Sequence, residues 1–169
     1  MRRYSYETDT AVSADRLFRA KADIQHWPDW DSELEATALD APLAAGSPFM
    51  LKPKGGPKVS MRIEHVEAPR RFVDLALLPL AKMRTSTEFL PSGSDTRIRA
   101  PTSPVQGECP ACVLLVRRAG RSLRSPARHV IIEVFGPLAF LWDRVIARKL
   151  AADCEQQTRA FIVAAERRP

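Results

Sequence analysis

The sequence contains no apolar run approaching the ~18 residues that a membrane-spanning helix needs. Its N-terminus, Met1-Arg2-Arg3-Tyr4-Ser5-Tyr6-Glu7, is charged but has no apolar stretch behind it, so it does not read as a secretory signal. A cytoplasmic location is therefore expected, where thiols stay reduced. Histidine and cysteine are scarce, at three each among 169 residues. The sequence has no Gly-rich phosphate loop, no Ser-His-Asp signature and no H-E-x-x-H. It has no internal repeat either, which sets aside solenoids and arrays.

What is present is a balanced globular composition, with 45% apolar and 27% charged residues. The length fits one domain able to bury a core. A net charge of +6 would suggest nucleic acid, but the excess is local. Residues 99–128 hold Arg99, Arg117, Arg118, Arg121, Arg124 and Arg128 against one acid, Glu108. The rest of the chain is close to neutral, and no nucleic-acid partner is expected.

Residues Tyr4 to Thr10 alternate as a strand, and Ser13 caps a helix that carries Leu17 and Phe18 on its apolar face and runs to about Ala22. Asp23 to His26 reads as a second short turn stopped by Pro28. Strands follow at Glu33–Leu39, Phe49–Lys52, Val59–Ile63, Phe72–Leu78 and Met83–Phe89, separated by Pro- and Gly-rich turns. A turn at Pro91–Asp95 leads to a return strand at Thr96–Arg99, with another strand at His129–Phe135. Pro137 opens a helix to about Glu166, roughly 45 Å long. Its expected buried face is Leu138, Trp142, Ile146, Leu150, Cys154, Thr158 and Phe161. This order specifies an α+β fold. A curved antiparallel sheet of about six or seven strands wraps round a long C-terminal helix, with two short helices after the first strand.

Three stretches carry a family resemblance: Trp27-Pro28-Asp29-Trp30, the hairpin from Leu51-Lys52-Pro53 to Arg71-Phe72-Val73, and Gly136-Pro137-Leu138-Ala139-Phe140-Leu141-Trp142. In that order they resemble the SRPBCC superfamily, the START-like helix-grip group, in its bacterial polyketide cyclase/dehydrase-like branch. The resemblance spans nearly the whole chain, read as a single START-like domain over 1–169. It implies a cavity for an apolar small molecule; no cofactor is expected. The departure from the pattern is an atypical basic Pro/Ser/Arg-rich insertion at about 100–127.

Such a cavity would be lined from the sheet by Phe49, Leu51, Met61, Ile63, Met83, Thr85, Thr87 and Phe89. From the helix it would be lined by Ile146, Leu150, Cys154, Thr158 and Phe161. The threonines either hydrogen-bond a ligand oxygen or serve only as strand and helix residues. Trp27 and Trp30 either gate the mouth, which makes Trp30 a ligand contact, or anchor the helix end in the core. Among the histidines (His26, His65, His129), His65 shares the alternating face of Met61 and Ile63, and Asp74 is an acid within an apolar strand. A meeting of Asp74 and His65 would allow proton transfer. The Cys109-Pro110-Ala111-Cys112 pair has redox or half-zinc spacing, but nothing else in the sequence completes a metal site, and no metal is expected.

Three readings follow. The first is binding or carriage of a lipid, polyketide or aromatic metabolite. The second is a cyclase or dehydrase acting on such a ligand through Asp74 and His65. The third is an interaction module that uses the basic insertion, whose Val113–Val116 run lies beside its arginines. The sequence leaves the oligomeric state open.

Overall fold

The computed structural model describes residues 2–90 and 127–167, with residues 2, 127 and 128 described by backbone alone. The turn expected at Pro91–Asp95, the strand expected at Thr96–Arg99, Cys109 and Cys112, and nearly all of the basic insertion lie outside the described residues.

Seven strands form one antiparallel sheet: β1 (Arg2–Asp9), β2 (Leu34–Ala38), β3 (Pro48–Pro53), β4 (Val59–Glu67), β5 (Arg71–Leu78), β6 (Ala81–Leu90) and β7 (Ala127–Phe135). Their spatial order is β1-β7-β6-β5-β4-β3-β2, so the first strand closes against the last. Helix α1 (Ala14–Ala22) follows β1, and Ser13 caps it by accepting from the Arg16 N–H. Next comes a 3₁₀ helix, Ile24–Asp29. Pro28, expected to stop this turn, lies inside it. Hydrogen bonds from His26 N–H to Asp23 O and from Trp30 N–H to Trp27 O, each 3.2 Å, close the chain on either side of the proline.

The C-terminal helix is continuous but not uniform. It begins as α2 (Ala139–Trp142), passes through a π turn (Asp143–Ala147) and continues as α3 (Arg148–Arg167). The π turn widens one turn of the helix. As a result the most buried line runs through Ala139, Asp143, Ala147 and Ala151 before reaching Cys154, Thr158 and Phe161. The expected line of Leu138, Trp142, Ile146 and Leu150 lies beside it, half-buried. Three alanines lie on the buried line, and the larger side chains flank it.

The two faces of the sheet differ in chemistry, as the period of two requires. On the convex face Glu133 lies 3.8 Å from Arg3 and 3.5 Å from Arg84, and Arg84 also pairs with Glu64. The Arg84 hydrogen bond holds the Glu64 carboxyl below its ordinary range, with burial opposing it. The concave face is mostly apolar, with Asp74, Thr85 and Thr87 as its polar members. Strand register sets it out as three rows. One row is Met61, Ala76, Met83 and Val134. The middle row is Ile63, Asp74, Thr85, Ile132 and Tyr4. The third is Val66, Phe72, Thr87, Val130 and Tyr6.

His65 is the main departure from simple alternation. A β-bulge between Ile63 and His65 lets Glu64 take up an extra position, so Ile63 opposes Asp74 while His65 opposes Val73. The next inward residue is Val66, and His65 points to the convex side. It is exposed there, 3.7 Å from Glu67. The expectation that His65 joins Asp74 inside the sheet is thus overturned.

Candidate functional site

Thr85 stands near the middle of the seven-stranded sheet, between Asp74 of β5 and Ile132 of β7. Side chains directly opposite one another share a face, so Thr85 points to the concave side with these core neighbours. A sealed helix would bury it. Thr85 remains only half-buried, as do Leu51 of β3 and Ile146 and Leu150 of the helix. Around them Ile63, Phe72, Phe89, Val134 and Phe161 are fully buried. The helix and sheet therefore pack tightly around a less closed centre.

One flank of this centre carries a buried ion pair. Lys21, on the last turn of α1, places Nζ 3.2 Å from Asp74 Oδ2, and both side chains are buried. The ammonium also lies 3.9 Å from the Trp27 ring centroid and 5.5 Å from that of Phe72. Trp27 Nε1 donates to the Lys21 carbonyl at 2.9 Å, tying the 3₁₀ helix to the end of α1. Asp74 Oδ2 is at ion-pair distance but has no aligned hydrogen bond. Thr87 Oγ1 and Trp30 Nε1 are also buried without hydrogen-bond partners among the described residues.

Aromatic rings wall this flank. Trp27 meets Phe49 edge-on at 5.6 Å and Phe72 at 6.4 Å. Trp30 meets Phe161 at 5.1 Å, and Phe161 stacks on Phe89 at 6.3 Å. Trp27 is thus a core anchor, and Trp30, half-buried, joins the 3₁₀ helix to α3.

The opposite flank is closed by Tyr4 of β1. Its hydroxyl donates to Asp143 Oδ1 at 2.6 Å, and Arg148 Nε lies 3.3 Å from Asp143 Oδ2. Asp143 is fully buried at the first position of the π turn. Burial first, and then the neighbouring carboxylate, raise the Tyr4 phenol above its ordinary value.

The expected lining residues Phe49, Met61, Ile63, Met83, Thr87, Phe89, Cys154, Thr158 and Phe161 are all buried core. Leu51, Thr85, Ile146 and Leu150 keep partial exposure. His26 is exposed beside Asp23 at 2.7 Å, and His129 lies 3.9 Å from Glu88 on the convex side. Sequence reasoning missed Lys21, Tyr4 and Asp143. Lys21 lies three residues after Phe18 and four after Leu17, a spacing that already put it on the buried face of α1. Among the described residues no group of three or more His, Cys, Asp or Glu side chains is placed to hold a metal ion. No described helix is long and apolar enough to cross a membrane.

No protein-family model matches the chain, and no curated protein sequence matches it. Solved structures do match. A truncated norcoclaurine synthase from Thalictrum flavum superposes with a TM-score of 0.64 at 11% identity, covering 99% of this chain and 95% of that one. A START superfamily protein from Mycobacterium smegmatis gives 0.60 at 13% identity, covering 98% of each chain. The di-domain ARO/CYC protein BexL of the BE-7585A biosynthetic pathway gives 0.62 at 13% identity, with 98% of this chain on 47% of that one. The chain therefore shares the helix-grip fold of these proteins, a curved antiparallel sheet round a long C-terminal helix. At such identities the likeness defines architecture and leaves activity to the site.

Proposed function

We propose that this protein binds an apolar small molecule between the concave face of the sheet and the C-terminal helix. The half-buried Thr85, at the centre of a sheet that a helix covers, carries this reading. Ligand sites of this size are mostly apolar, with a few placed polar groups. In this reading Leu51, Met61, Met83, Ile146 and Leu150 supply the walls and Thr85 the polar contact, with Thr87 Oγ1 and Trp30 Nε1 buried behind them. One structure sharing the fold, a norcoclaurine synthase at 10% identity, is in complex with dopamine and hydroxybenzaldehyde, so the fold accommodates ring compounds elsewhere. Binding or carriage is favoured over catalysis because the proton-transfer pair named from sequence is split. Asp74 is inside against Lys21, and His65 is outside beside Glu67.

Native mass spectrometry of the purified protein, followed by denaturing extraction, tests the proposal. The expected result is a co-purifying lipid, polyketide or aromatic compound, or uptake of one from a panel. A protein that emerges empty and binds neither fatty acids nor polycyclic aromatics would sink the reading.

A further inference from the structure

Two segments at one end of the molecule expose apolar side chains that a core would ordinarily take up. Leu80 and Phe140 are each 68% exposed, Val145 57%, Leu141 43% and Leu77 38%. The segments are locked together. Leu138 N–H donates to Leu80 O at 3.2 Å, and Trp142 Nε1 donates to Pro79 O at 3.0 Å. Gly136, at φ +120°, lies so close that a Cβ there would fall 2.8 Å from both Ala81 Cα and Leu80 O. The exposed side chains thus stand on two segments bonded to each other.

Leu80 itself has φ +54°, in the left-handed region that a bulky L-residue enters at a cost. Glycine or asparagine would relieve the backbone and remove the exposed apolar surface at once. Neither the turn nor the core explains a leucine at this position.

The rim indicates what this surface meets. Segments 77–82 and 136–148 carry Lys82, Arg144 and Arg148, and their only acid, Asp143, pairs with Arg148, which leaves Lys82 and Arg144 as the cations of the rim. That acid is buried beneath Tyr4 and Arg148. Lys82 stands directly opposite Leu77 in the hairpin. An apolar centre with a cationic rim complements anionic headgroups lying over acyl chains. The same rim would repel a second copy of itself.

We propose that the Leu80 turn and the first turns of the C-terminal helix dock on an anionic membrane surface, with Leu80 and Phe140 entering the headgroup–acyl boundary. The inference does not depend on the internal ligand. Flotation with vesicles of phosphatidylcholine, with and without phosphatidylglycerol, tests it. The protein is expected to float with the anionic vesicles alone. The Leu80→Asp/Phe140→Asp variant should bind at least about tenfold more weakly, with a melting temperature no lower than that of wild type, since Asp tolerates the left-handed backbone at position 80. Should that variant fail to fold, Lys82→Gln/Arg144→Gln is expected to lose binding while keeping the fold.

Absence of vesicle binding by the wild-type protein overturns the proposal. So does equal binding by a folded Leu80→Asp/Phe140→Asp variant, which would assign the attraction to other cations of the chain. Self-association that this variant abolishes, with no vesicle binding, would assign the patch to a second copy instead.

Discussion

Lys21 and Asp74 are both removed from water, so each is tolerated largely because of the other. Lys21→Met leaves the carboxylate buried without its ammonium and should cost about 3–5 kcal/mol in urea unfolding. Lys21→Met/Asp74→Leu should recover most of that loss, since a well-packed apolar pair avoids the desolvation of both charges. A single variant no worse than a surface substitution would show that the pair is hydrated. Tyr4 gives a second test at this scale. Its folded pKa is raised above the ordinary 10.0, so its contribution is complete below that value and is lost as pH rises through the raised one. Tyr4→Phe should therefore cost about 1 kcal/mol at neutral pH through the lost bond to Asp143, and the difference from wild type should shrink in alkali. Unfolding curves at stepped pH check it, and a gap that stays constant through the tyrosine range would contradict it. Both clusters were hard to read in sequence for one reason. A charged residue on a helix is normally solvated; spacing to Leu17 and Phe18 sets Lys21 apart, whereas Asp143 lies on a line of alanines that the apolar pattern does not mark.

At the scale of elements, the helix start depends on one glycine. Gly136→Ala combines φ +120° with a Cβ 2.8 Å from backbone atoms of the β5–β6 turn. Neither partner is a flexible side-chain tip, so relief requires the two segments to part. The variant should lose at least about 2 kcal/mol, read as a lower melting temperature, and release of the Trp142–Pro79 bond should change the Trp142 fluorescence. Strands and helices were legible because alternation and the 3.6 period write themselves directly into residue order: Val59, Met61, Ile63 and Met83, Thr85, Thr87, Phe89 all face the side their pattern predicts. The bulge was not legible. Glu64 and His65 are both polar, so the pattern Ile63-Glu64-His65-Val66 fits either continued alternation through His65 or an extra residue before Val66. The π turn was hidden similarly, because Leu138, Trp142, Ile146 and Leu150 form a better apolar line than the alanines and Asp143 that are in fact buried.

At the scale of the whole molecule, the question is whether the space beneath the helix is a cavity or loose core, and substitution can answer it without knowing the ligand. Thr85 is half-buried between buried neighbours, so a larger side chain there must either enter open space or force the helix outward. Thr85→Phe adds a ring over the middle row. If the space is open, the ring gains burial, and the ligand-free protein should be as stable as wild type or more so. If the space is packed, overpacking should cost about 1–3 kcal/mol. The same variant should abolish uptake. In wild type, an apolar ligand at 100 times its dissociation constant should raise stability by about 2.7 kcal/mol, and Thr85→Phe should show no such shift. Loss of the ligand shift with retained stability is the combination that only an occupied cavity produces. Membrane docking through Leu80 and Phe140 should persist in this variant, because the docking residues lie at the surface around the β5–β6 turn and Thr85 lies on the concave face of β6. Vesicle flotation of Thr85→Phe therefore separates the two surfaces: bound to membrane and empty inside is the expected state, and joint loss of both would mean that the ring has disturbed the helix itself.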